Sequence, residues 1–156
     1  MSLKSASAHD IAENLAAELA QSREVADAAG APPRVFLDAI GYNASLDDGR
    51  PVIFVHPNGD SNLVRGDQQS DIRVVVGLDS SASLTGNANA SEQDERGVYR
   101  IASGGRLDAI VRAVVECAYG SLPGALLDNA DAEYDYSASP YQFATLTIRF
   151  NQIDTY

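Results

Sequence analysis

Two repeat intervals organise the apolar positions of this chain. Near its start, Ile11, Leu15 and Leu19 recur every fourth residue, with Ala12 and Ala16 beside them. Residues so spaced share one face of an α-helix. The spacing predicts a helix from about Ala8 to Ser22, with an extension to Ala28 open. Ser7 followed by Asp10 has the form of a capping box, which satisfies the free N–H groups at a helix start. Gly30-Ala31-Pro32-Pro33 stops the helix, because proline has no N–H and clashes with the preceding turn. Further on, Leu107, Ile110, Val111, Val114 and Ala118 form a second continuous face, predicting a helix from about Gly104 to Tyr119. Ser103 is placed to cap it, and Gly120 then Pro123-Gly124 end it.

Elsewhere the interval falls to two, the mark of a strand with one buried face. Arg34–Tyr42 and Pro51–His56 are rich in β-branched and aromatic residues. Asp47-Asp48-Gly49 between them is a turn signal, so the two are expected to pair as a hairpin. Pro57-Asn58-Gly59-Asp60 closes the second run. In Asp71–Leu78, Ile72, Val74, Val76 and Leu78 face one side. Ala125–Tyr136 alternates acids with Tyr134 and Tyr136, and Gln142–Ile153 turns Ala144, Leu146, Ile148 and Phe150 inward. Asp79–Gly97 is polar, with Leu84 as its one large apolar residue, and reads as a long mobile loop.

The expected order is α-β-β-β-loop-α-β-β. Short turns between strands imply an α+β fold: a mixed, largely antiparallel five-stranded sheet with two helices on one face. The expected core joins Ile72, Val74, Val76, Leu146 and Ile148 to Leu107, Ile110, Val111 and Val114. The 156 residues are read as a single domain, with residues 1–7 disordered or tag-derived.

Composition narrows the function. Acids outnumber bases 22 to 11, for a net charge of −11. That balance repels nucleic-acid backbones and anionic membranes. The one cysteine, Cys117, excludes an internal disulfide and a cysteine-rich zinc site, and two histidines, His9 and His56, do not suit a histidine metal site. No run approaches the ~18–20 apolar residues of a membrane span, and no export signal is present, so a cytoplasmic site of synthesis is expected. No cofactor or metal is expected.

Several short motifs fall to the blander reading. Gly59-Asp60-Ser61-Asn62 after an apolar strand has the form of an esterase nucleophile block, but no histidine follows His56 to serve Ser61 as base. Arg65-Gly66-Asp67 matches an integrin-binding tripeptide and is too short to carry weight. Ser103-Gly104-Gly105-Arg106 is placed to hold an anion at a helix start, yet lacks phosphate-loop spacing. Asp128, Asp131, Glu133 and Asp135 lack calcium-loop order and read as guards on a strand edge. Cys117 reads as a half-buried structural thiol. What remains suits contact with other proteins. Tyr134, Tyr136 and Tyr141 are interface candidates, because tyrosine offers apolar area with a polar tip. Leu84, Asp94, Glu95 and Arg96 are contact candidates in and beside the loop.

A first helix, three strands, a long loop, a second helix reading Arg106-Leu-Asp-Ala-Ile-Val, and strands ending Ala144-Thr-Leu-Thr-Ile-Arg-Phe150 resemble the small tail-terminator and tail-completion proteins of long-tailed phages and prophages. The resemblance spans residues 8 to 152 and rests on patterns rather than catalytic signatures. It implies a hexameric ring that ends the tail tube and faces the head connector. It also implies no enzymatic activity, no cofactor, a place in the virion, and passage of DNA without sequence reading. The Ala-rich stretch after the first helix and the long loop depart from the pattern and suit a neighbouring neck role. The competing reading is a stand-alone bacterial binding module without catalytic activity; a third is a hydrolase on Ser61.

Overall fold

The structure is a computed structural model describing residues 6–37, 51–63, 68–79, 91–93, 95–97, 99–101, 107–120, 125–137 and 141–152. Helix α1 (Ala8–Gln21) starts at Ser7, whose hydroxyl accepts from the Asp10 N–H while Asp10 accepts from the Ser7 N–H, the expected capping box. Helix α2 (Arg23–Ala29) follows at once. Ser22 divides them: extended at ψ 119°, it closes α1 with its backbone N–H and opens α2 by accepting from the Val25 N–H. The single helix extension considered above is therefore a separate helix. Gly30 ends α2 in the left-handed region at φ 76°, a conformation glycine adopts without strain.

The strands are β1 (Arg34–Leu37), β2 (Val52–Ser61), β3 (Gln69–Asp79), β4 (Ser91–Gln93), β5 (Tyr99–Ile101), β6 (Ala125–Asp135) and β7 (Tyr141–Gln152); helix α3 (Leu107–Gly120) precedes β6. Five of them form a mixed sheet in the order β1-β2-β3-β7-β6, and β4 pairs with β5 alone. The fold is α+β as expected, with three helices among the described residues where two were predicted.

Three further expectations change. β1 and β2 pair in parallel, Arg34 beside Val52 through Leu37 beside Val55, so they are no hairpin. A tight turn cannot join parallel strands, because the chain must first return to its starting end; the Asp47-Asp48-Gly49 signal lies outside the described residues. β2 also does not stop at His56. It runs through Pro57 to Ser61, with an irregularity between Pro57 and Gly59. Among the described residues, pairing with β1 reaches Val55 and no strand flanks β2 beyond it, a setting in which a missing N–H is tolerated. Finally, residues 91–93 of the expected loop are a strand, with residues 95–97 as the turn towards β5.

Alternation on the central strands sorts the side chains. Ile72, Val74, Val76 and Leu78 of β3 and Ala144, Leu146, Ile148 and Phe150 of β7 face the helices and are buried. Ile11, Leu15 and Leu19 of α1, Val25 of α2, and Leu107, Ile110, Val111 and Val114 of α3 complete one core. Every residue of the expected core lies in it. The opposite face is divided along the strands. At one end, Phe54 stacks on Phe36 with ring centres 5.3 Å apart, among Val52, Val75 and Phe143. Gly77 makes room there: a Cβ at that position would sit 2.9 Å from Val52 Cγ2 and 3.2 Å from Phe143 Cε1. At the other end the face is polar, with Arg73, Thr147 and Arg149 exposed.

Two substitutions test this arrangement. Ile110→Ala, removing fully buried methyl groups, should lower stability by about 2–5 kcal/mol. Gly77→Ala should lower it by about 1–3 kcal/mol through overpacking against Val52 and Phe143. Both are read as a lower urea midpoint at constant slope. An unchanged midpoint for either would place that residue outside the packing described.

Candidate functional site

The most connected polar cluster lies where α1 meets the ends of β2, β3 and β7. Both Asp60 carboxylate oxygens accept from the Ala8 N–H, at 3.0 and 3.2 Å. The Ser70 hydroxyl donates to Asp60 Oδ1 at 2.6 Å and Gln68 Nε2 donates to the same oxygen at 3.0 Å. Gln68 Nε2 also donates to the Ala6 carbonyl at 3.1 Å, and Gln152 Nε2 donates to that carbonyl too. Gln68, Ser70 and Gln152 are all buried. A carboxylate at a helix N-terminus meets free N–H groups and the positive end of the helix dipole. The cluster is therefore an anchor for α1, and its donors and acceptors are turned inward on one another.

Register separates the residues of the esterase-like block. On β3, His56 pairs with Arg73 and Ser61 with Gln69, four positions apart. At ~3.3 Å per residue that is about 13 Å, far beyond hydrogen-bond reach. Among the described residues no group of histidine, cysteine, aspartate and glutamate is arranged to hold a metal ion. An open cleft of about 420 Å³ lies where the three helices meet, lined by Glu18, Arg23, Glu116 and half-buried Cys117 among others. Arg65-Gly66-Asp67 and Ser103-Gly104-Gly105-Arg106 lie outside the described residues.

The interface candidates fare unevenly. Tyr134 and Tyr136 come together at the end of β6, stacked with ring centres 6.3 Å apart and planes 4° from parallel, and both are exposed. Tyr134 pairs with Ala144, so this stack lies on the helix-bearing side of the sheet, whereas Tyr141, also exposed, alternates with Phe143 on the opposite side. The hairpin end thus carries tyrosine on both faces rather than one tyrosine cluster. Glu95 and Arg96 are exposed in the turn after β4; Leu84 and Asp94 lie outside the described residues.

Sequence reasoning treated the acids of β6 as one group. The strand divides them: Asp128 sits at an irregularity between Leu127 and Asn129, while Asp131, Glu133 and Asp135 pair with Thr147, Thr145 and Phe143. None of these three faces a base across the pairing. The nearby charge pair runs instead from Arg149 Nε to Asp71 Oδ1 at 2.9 Å, and its hydrogen bond and charge raise the guanidinium above its ordinary pKa. No helix among the described residues is long and apolar enough to cross a membrane. No protein-family model matches the chain, and no curated protein matches it.

The anchor is tested by Asp60→Ala, which leaves the Ala8 N–H and the Ser70 hydroxyl without their acceptor and Gln68 Nε2 without one of its acceptors. Hydrogen bonds to a charged group are worth about 1.5–3 kcal/mol, and a loss in that range is expected from chemical denaturation. Amide exchange in the first turn of α1 should quicken while that of α3 changes only with global stability. Equal protection of α1 in both proteins would remove Asp60 as its anchor.

Proposed function

We propose that this chain is a phage or prophage structural protein of the tail-terminator or neck type, forming a hexameric ring that ends the tail tube and joins it to the head. The observation that carries this reading is the tip of the β6–β7 hairpin, where Tyr134, Tyr136 and Tyr141 are exposed on both faces of a sheet held rigid by the core behind it. Exposed tyrosines on a firm support suit subunit contact, because apolar area is removed from water at little loss of side-chain entropy. A wide helix-backed sheet with uncovered ends suits a repeated wedge in a closed ring. The element order supports the same reading, with helices first, strands next, then a helix and a closing hairpin. The net charge of −11 suits a conduit that lets DNA pass without holding it. On this reading the ring works by shape and contact, without a cofactor or a chemical step.

Light scattering coupled to size exclusion should give a particle of six subunits, and electron microscopy should show a ring. The triple substitution Tyr134→Ala, Tyr136→Ala and Tyr141→Ala should keep the circular dichroism spectrum and shift the particle towards monomer. A monomer at every concentration would overturn the ring and favour a stand-alone binding module.

A further inference from the structure

We propose that the outer edge of β6 binds an extended segment of a partner protein by strand addition, and that this segment alternates basic with apolar residues. The inference goes beyond the ring reading, because the occupant is a different chain lying along the flank of the strand.

β6 spans Ala125–Asp135 and is an end strand of the sheet. Its pairing is with β7 on one side, and among the described residues no strand lies on the other. An end strand directs alternate N–H and C=O groups outward, where an added strand can take them up. Its last five residues, from Asp131 to Asp135, are all exposed. Long exposed edges are usually blunted; here an irregularity between Leu127 and Asn129 interrupts the first part of the strand, and from Asp131 onward the blunting is by negative charge.

That charge selects the occupant. Asp131, Glu133 and Asp135 lie on the face away from the helices, at alternate positions and with no base across the β7 pairing. Like charges opposite one another in a sheet are destabilising, and opposite charges attract. A second β6 would set acids against acids, within a pair already carrying −11 on each chain. β1, the other end strand, offers only Arg34–Leu37 and would leave most of the edge bare. A strand with arginine or lysine at every second position would instead match the acids. Its intervening residues would meet Ala132 and the stacked Tyr134 and Tyr136 on the other face. Ser137 donates to Asp135 from its hydroxyl at 2.6 Å and its N–H at 2.8 Å, which holds that carboxyl below its ordinary pKa and preserves its charge as pH falls.

The test uses the full chain and a labelled nine-residue peptide of alternating arginine and valine at low ionic strength. Anisotropy should show saturable binding, and amide exchange from Asp131 to Asp135 should slow when the peptide is bound. The same peptide N-methylated at alternate residues keeps its charge but cannot hydrogen-bond along an edge, and it should bind at least about tenfold more weakly, since several bonds are lost. A glutamate–valine peptide should not bind. Asp131→Asn, Glu133→Gln and Asp135→Asn together should weaken binding by a similar factor with the fold intact, as all three side chains are exposed. Absence of binding, equal binding of the methylated peptide, or unchanged exchange in β6 would overturn the proposal. So would β6 amides whose protection rises with protein concentration in the Tyr134→Ala, Tyr136→Ala, Tyr141→Ala variant, where the ring contact is removed, which would assign the edge to a second copy. Light scattering on the same samples reads the ring separately, so failure of one reading is distinct from failure of the other.

Discussion

The register between β3 and β7 is the constraint on which everything else rests. These two strands pair without interruption from Gln69 with Asn151 to Asp79 with Tyr141. Because side chains alternate, one register sends Ile72, Val74, Val76, Leu146 and Ile148 to the helices and Asp71, Arg73, Thr147 and Arg149 to the other side. A slip of one residue would turn over the strand that moved, burying Asp71 and Arg73 if it were β3, or Thr147 and Arg149 if it were β7. Both hairpins inherit their geometry from this pair: β2 is placed by β3, and β6 by β7. The acids of the β6 edge therefore stand where they do because hydrophobic residues two strands away cannot face water.

The anchor at Asp60 is a separate device. α1 buries Ile11, Leu15 and Leu19 against the sheet, but burial alone does not fix where along the sheet a helix begins. Hydrogen bonds do, because they are directional. Asp60 on β2, Ser70 on β3, Gln152 on β7 and Gln68 just before β3 form one bonded group, which meets the chain at Ala6 and Ala8 where α1 begins. Asp60 is exposed, whereas the Gln68 and Gln152 amide nitrogens and the Ser70 hydroxyl belong to buried residues and are hydrogen-bonded, as buried polar groups require.

Much of the fold was legible in the sequence because its signals are local. The capping box at Ser7 and Asp10, the fourfold spacing in α1 and α3, and the alternation in β3 and β7 are all written within a few residues. The parallel partner of β1 was not, since a turn signal such as Asp47-Asp48-Gly49 marks a bend and says nothing of which strand comes to lie alongside. Nor was the passage of β2 through Pro57, because Pro57-Asn58-Gly59-Asp60 has the form of a turn and only the pairing with β3 shows the strand running on to Ser61. The tyrosines were visible as a composition, but their division between two faces depends on pairing register. The Asp60 anchor left no trace, because Ala8, Asp60, Ser70 and Gln152 are brought together only by the completed sheet.

The hydrogen bond from Gln152 to the Ala6 carbonyl also gives the molecule a polarity. Ala6, just before α1, and Gln152, at the end of β7, are stitched to each other at one end of the sheet. Tyr141 opens β7 at the opposite end, eleven steps along the strand from Gln152, or roughly 35 Å at ~3.3 Å per residue. Ala6 and Gln152 thus share one pole of the sheet, so that a disturbance there acts on the start of α1 while the aromatic hairpin lies at the other.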